Sequence, residues 1–319
     1  MVYDVTALGE LLVDFTESGF SQGGMRLFEQ NPGGSVTNVL AAAARYGLKT
    51  AFIGKVGEDM HGHFLAAAME KAGVDVSRLR YTKEAFTTLA FVALAADGDR
   101  EFSFARHPGA DTCLQSDELG KELLANTRVM HTSSLSLTDE PARSATYEAI
   151  RIAKEAGAII TYDPNYRASL WKNEAEAAQR MRTLIATADI IKLSDVETEL
   201  LTDEKDPESA AIKLYNMGVE LVAVTLGSEG ALMLAKGKTQ YLPAYKTKAV
   251  DATGAGDAFL GSFIYRVLEL GKRVEDVSLE EAVACADFAQ AAASLCVEGR
   301  GGIPSMPALE AVLGRMGRK

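Results

Sequence analysis

The sequence predicts an α/β protein: a central, mostly parallel sheet with helices on both faces, carrying a small β-sheet lid. Two observations predict it. From residue 127 onward, short β-rich runs that are apolar on both faces alternate with helical patterns. Earlier, from residue 3 to about 31 and again over 87–106, strand–turn–strand patterns break that rhythm.

The elements follow in order. Residues 3–15 and the segment to about 31 read as strand, turn and strand. GGSVTNVLAAAARYG (33–47) places paired glycines before an Ala-rich helical pattern, and GKVGEDMHGHFLAAAMEKAGV (54–74) sets glycines around an amphipathic helix. TTLAFVALAADGDREFSFAR (87–106) holds Asp97-Gly98 between β-rich arms, a strong hairpin signal. TRVMHTS (127–133) precedes a helix over 141–156, AIITYD (158–163) one over 174–187, and DIIKLS (189–194) leads into VETELL and a helix over 207–217. VELVAVTLG (219–227) follows, and 256–271 and 279–297 read as two amphipathic helices rich in Ala and Gly. The division that results is a core of residues 1–11, 32–85 and 110–319 with a discontinuous lid of 12–31 and 86–109. A mobile cover of this kind excludes water from a transfer reaction.

Composition limits the partners. A chain of 319 residues with 33 Lys and Arg against 44 Asp and Glu carries a net charge of −11. With no basic cluster, it is repelled by phosphate backbones and anionic membranes, so neither nucleic acid nor membrane is an expected partner. Apolar runs such as 89–96 stop well short of the ~20 residues of a membrane span. The opening residues MVYDVTALGE lack a basic stretch followed by an apolar core, so no signal peptide is expected. Cys113, Cys285 and Cys296 include no CxxC pair and suit a reducing, cytoplasmic setting.

The sharpest chemical feature is VDATGAGDAFLGSFIYRVL (250–268). A β-like approach ends in glycines and a helix starts at once. The amides of Gly254, Ala255 and Gly256 therefore converge where the helix end is positive, and an anion should bind there. Asp257 has a bland reading, a carboxylate that complements the helix end. Its chemical reading is a base that takes a proton from a hydroxyl while the cradle stabilises a transferring phosphoryl group. Gly33-Gly34 permits close approach by a ligand, or is only a tight turn before a packing helix that carries Asn38. There is no GxxxxGK[ST] and no GxGxxG after the first strand, which removes the P-loop and dinucleotide classes.

Six fragments in one order, NPGGSVTNVLAAAARYG, GKVGEDMHG, FSFARHPGADTCL, ITYDPNYRASLW, TLGSEG and VDATGAGDAF, resemble the ribokinase-like sugar kinases of the PfkB family, most narrowly the fructokinases. The resemblance covers essentially the whole length. It implies a ribokinase-like fold and an ATP-dependent kinase that converts D-fructose to fructose 6-phosphate. It assigns Asp257 as general base and Gly254, Ala255 and Gly256 as the anion hole. Asp14, Gly33, Gly34 and Asn38 would hold sugar hydroxyls. Arg106, Asn165 and Arg167 join the sugar side: Arg106 shares strand parity with Phe102 and Phe104, and Arg167 follows Asp163-Pro164-Asn165 at a strand end, where open α/β sheets bind ligands. The two arginines suit a neutral ketohexose, or the carboxylate of 2-keto-3-deoxygluconate, the nearest rival substrate. A non-catalytic sugar- or nucleotide-binding regulator is the rival from another class.

For the nucleotide, the resemblance implies Lys192, Ser194, Thr225, Gly227, Gly230 and Gln290. Ser194 stands where the family often has Asn, and Gln290 where relatives often have Asn near adenine. Glu197 would organise water around Mg²⁺. Asp251, Thr253 and Ser305, with GRGGIPS (299–305), resemble a monovalent-cation site that takes K⁺. An exposed face of the small sheet implies a homodimer through the lid.

Overall fold

Strands apolar on both faces must be covered on both, and alternate residues of the large sheet go to opposite helical layers. The computed structural model describes residues 2–94 and 100–317. Its strands are β1 (Tyr3–Leu8), β2 (Leu12–Phe20), β3 (Arg26–Gly33), β4 (Thr50–Gly57), β5 (Val74–Thr82), β6 (Leu89–Leu94), β7 (Arg100–Ala105), β8 (Thr127–Ser133), β9 (Ile159–Asp163), β10 (Ile190–Ser194), β11 (Leu221–Thr225), β12 (Ala231–Ala235) and β13 (Lys238–Leu242). Its helices are α1 (Ser35–Arg45), α2 (Met60–Lys71), α3 (Lys121–Leu124), α4 (Ala142–Glu155), α5 (Glu174–Arg182), α6 (Asp195–Thr202), α7 (Pro207–Asn216), α8 (Ala255–Glu269), α9 (Leu279–Cys296) and α10 (Leu309–Met316).

Nine strands form one sheet in the order β13-β12-β11-β10-β9-β8-β1-β4-β5. From β11 to β5 every neighbour is parallel, and β12 and β13 close one edge as an antiparallel hairpin. Ile191, Leu193, Val222 and Val224 pack under α4, α5 and α7, whereas Ile190, Leu221 and Ala223 pack under α8 and α9. That is the period of two expected of strands buried on both sides. The chain runs outward from β1 to β4 and β5 on one side and returns to β8 and its successors on the other. The carboxyl ends of β1 and β8 are therefore a topological switch point, the place where open α/β sheets bind ligands.

The second sheet has four strands in the order β3-β2-β6-β7. Its β2–β6 pair is parallel and the other two pairs are antiparallel. One face is buried through Ala90 and Val92, while Phe28 and Phe91 on the other face are exposed, with Phe91 stacked on Phe15 at 5.3 Å.

Some elements went unread. The β12–β13 hairpin turns at Lys236-Gly237, both left-handed, and β13 is mostly polar and exposed, so its alternation carries little signal. The expected helix over 174–187 ends at Arg182, followed by one separate tight turn over Ile185–Thr187. The predicted Asp97-Gly98 turn lies outside the described residues.

Candidate active site

The carboxyl edge of the large sheet opens into a cavity of about 1020 Å³. Its lining runs from Asp14, Gly34 and Asn38, past Gly254 to Asp257, to Ser194, Thr225, Gly227, Gly230 and Gln290. The fold thus brings to one cavity residues that lie as far apart in sequence as 14 and 290.

At its centre is the N-terminus of α8. Gly254 is left-handed (φ 78°), and a Cβ there would stand 3.0 Å from Gly302 Cα, so the bend needs glycine. One turn on, Asp257 is buried and accepts a hydrogen bond of 2.8 Å from Asn38 Nδ2. Its carboxyl is pushed up to about 7, first by burial and then by the charge of Asp163. The Asn38 hydrogen bond and the cations of Lys192 and Arg167 oppose that shift without cancelling it. Asn38 lies in the first turns of α1, and the bend before it is held by sterics. Gly34 has φ 128°, and a Cβ on it would run into the Glu10 carbonyl. A Cβ on Gly33 would collide with the Asp14 carboxylate, which places that carboxylate against the bend.

The chain matches the pfkB family carbohydrate kinases over residues 4–309. It belongs to that family. It is 42% identical over 307 residues to fructokinase-1 of Oryza sativa subsp. japonica, covering 95% of this chain and 94% of that relative. Among solved structures, it is similar to the ATP-bound fructokinase of Xylella fastidiosa with a TM-score of 0.91 and 31% identity, covering 100% of this chain and 99% of the other. A fructokinase variant from Vibrio cholerae O395, solved with fructose, ADP and potassium ion, gives a TM-score of 0.87 and 28% identity over 99% of both chains. The fold is ribokinase-like, and the chain is a sugar kinase, a phosphotransferase.

Most of this kinase's expected site residues share the cavity. Asn165 (φ 47°) and Arg167 follow β9 and line it, and the Asn165 N–H donates to Asp163 Oδ1 at 3.2 Å. Lys192 is buried and pairs with Asp163, Nζ to Oδ2 at 2.8 Å. Thr225 and Gly227 lie at the end of β11, and Gln290 on α9 donates to the Leu242 carbonyl at 3.3 Å. Gly230 (φ 117°) has no room for a Cβ, which would meet the Leu242 carbonyl.

Arg106 is a correction. It does not line the cavity: its Nε and Nη2 clasp Asp111 Oδ2 at 2.9 and 2.6 Å, Nη1 donates to Thr138 Oγ1, and Nη2 also reaches the Leu135 carbonyl. It is buried, as parity suggested, but β7 ends at Ala105 and Asp111 meets it there. Glu197 is already engaged. Its Oε2 accepts from Ser194 N and Oγ and its Oε1 from the Tyr166 N–H, a capping box that starts α6. A carboxylate has about four acceptor positions, so one is left for an outside donor. Asp251 spends both oxygens on backbone: Oδ1 accepts from Thr253 N and Oδ2 from Gly301 N. It clamps 251–253 to 299–305, and Ser305 Oγ donates to the Gly301 and Gly302 carbonyls. The two segments do meet beside the anion cradle, with Asp251 as a loop clamp.

Two buried acids at this edge of the sheet were missed. Glu10, just past β1 at the switch point, lines the cavity and accepts from Ser35 N at 2.6 Å, Ser35 Oγ at 2.7 Å and Ser133 Oγ at 3.2 Å. Burial pushes its carboxyl up. Asp163 is the other, though it opens the Asp-Pro-Asn run that located Arg167.

Proposed function

We propose that this kinase transfers the γ-phosphoryl group of ATP to the 6-hydroxyl of D-fructose. The reading rests on Asp257, a buried carboxyl pushed up to about 7, fixed by Asn38 one turn into the helix whose first amides form an anion cradle. A base poised near neutral pH suits proton transfer from an alcohol. As the 6-oxygen attacks the γ-phosphorus, its proton passes to Asp257, the new O–P bond forms, and the bond from the γ-phosphorus to the β–γ bridging oxygen breaks to release ADP. The amides of Gly254, Ala255 and Gly256 face the charge that develops. Asp14, the Gly33-Gly34 bend and Asn38 hold the sugar; Asn38 Oδ1 is buried without a partner among the described residues and suits a hydroxyl donor.

Lys192, Ser194, Thr225, Gly227, Gly230 and Gln290 form the nucleotide side. Mg²⁺ fits as an ion that keeps its waters on the phosphates: the described residues contain no cluster of three His, Cys, Asp or Glu side chains, and Glu197 retains one acceptor position. Bound there, it would neutralise phosphate charge. Carbonyls of 251–253 and 299–305 suit K⁺, and the Vibrio cholerae relative was solved with potassium ion. Residues 12–31 and 86–109 serve as the lid, and the exposed Phe20, Leu27, Phe28 and Phe91 support its use in a homodimer. Free Cys113, Cys285 and Cys296 support a cytoplasmic setting.

Fructose leads over 2-keto-3-deoxygluconate because Asp111 has taken Arg106, leaving Arg167 of the two arginines at the cavity. A coupled ADP-release assay over ketoses, ketoacids and nucleosides tests this. Fructose should give the highest kcat/KM; a ketoacid or nucleoside in first place would overturn the assignment.

A further inference from the structure

Asp163 has no part in the transfer described above, yet it lies closer to the chemistry than a scaffold residue needs to. It ends β9, and Lys192 lies near the end of the adjacent parallel strand β10, so neighbouring strands deliver an acid and an amine to the same edge. Both are buried. Such a pair is weak evidence for stability, because well-packed apolar side chains often serve as well. Its position is more informative. A Cβ on Gly256 would stand 2.8 Å from Lys192 Nζ, so the ammonium lies against the first turn of α8, and both residues line the cavity.

We propose that Asp163 is a positioning residue for phosphoryl transfer, which holds the Lys192 ammonium between the anion cradle and Asp257 so that the pair governs both the transferring charge and the readiness of the base. The inference rests on the kinase reading above. An ammonium has three N–H donors and a single ion pair takes at most one, leaving donors for phosphoryl oxygens as their charge develops. The groups facing Asp257 are Asp163 and Arg167 from the end of β9, Lys192 from β10, Cys296 from α9 and the uncharged Asn38 from α1. Lys192 is faced in turn by Asp163, Glu197 and Asp257, with Glu10 and Asp14 on the same cavity. Asp163 favours a protonated Asp257 and Lys192 an ionised one. The two charges pull the base in opposite directions.

That opposition gives the test: the pH dependence of kcat for whichever sugar the wild type phosphorylates fastest. Asp163→Asn should move the acid limb down by about one pH unit, and Lys192→Met should move it up by a similar amount. In Asp163→Asn/Lys192→Met, which removes the pair as a unit and keeps the site neutral if a single variant misfolds, the limb should return near the wild-type position. Its kcat should fall about 100-fold for loss of the ammonium. Single variants whose limbs stay put or move the same way would overturn the proposal, as would a double variant with wild-type kcat. A wild type inert toward every sugar would instead overturn the kinase reading, and this inference with it.

Discussion

Two regions bury a carboxylate among hydrogen-bond donors, and they use it differently. Where the lid strands enter the core, Asp111 meets Arg106 through two guanidinium nitrogens and accepts from Thr88 Oγ1. Each charge there has its counter-charge, and the cluster ties β6 and β7 to the loop at 109–113. At the mouth of α8, Asp257 receives one side-chain amide, and the nearest ammonium is already paired with another acid. Matching charges makes a fastener. Leaving one short of its match suits the base proposed above.

The comparison breaks most readily at Asp257. Asp257→Asn should lower kcat by about 10³-fold, because general-base catalysis contributes on the order of 10²–10⁴. Sugar binding measured by calorimetry should persist. The same variant should be more heat-stable at pH 8. The carboxyl's ordinary value is 3.8 and the folded protein raises it to about 7, so the folded state binds the proton more tightly. Wild-type stability must then fall as pH rises through that window. The melting difference between variant and wild type should shrink as pH drops from 8 to 5. An Asp257→Asn protein with near wild-type turnover, or a pH-independent difference, would place this carboxylate with the fasteners.

Arg106 is the next largest effect. Arg106→Met leaves Asp111 buried and unmatched, which costs about 3–5 kcal/mol of stability. Denaturant midpoints should fall, and the apparent KM for sugar should change less than stability does. Retained stability with a raised sugar KM would instead return Arg106 to the substrate.

These contrasts mark what the sequence could say. The Gly254–Asp257 turn was legible because its features are local: glycines, a helix start and an acid lie within four residues. The alternating strands and helices from 127 to 225 were legible for the same reason, since periodicity is a short-range signal. Arg106 was misplaced because its partner lies across a turn, and strand parity gives a direction without saying what waits there. Glu10 went unread because its partners, Ser35 and Ser133, meet it only once the parallel strands assemble. Asp163 was in view within the Asp-Pro-Asn run, but its worth depends on Lys192 in the next strand.

Glu197 lies between the two classes, and a small effect decides it. It lines the cavity, as a chemical residue should, yet Ser194 and Tyr166 supply three donors, as at a fastener. Ser194→Ala removes one of those donors and half of the capping box. Loss of such a cap costs about 1 kcal/mol, which is about 1–2 °C in Tm for a chain of 319 residues. If capping is the main duty of Glu197, the Mg²⁺ concentration giving half-maximal turnover should stay at its wild-type value, because Ser194 N and Tyr166 still hold the carboxylate. A higher Mg²⁺ midpoint with an unchanged Tm would mean that the hydroxyl aims Glu197 at the hydrated ion. Glu197 would then belong with Asp257, as an acid whose remaining acceptor position is kept for the reaction.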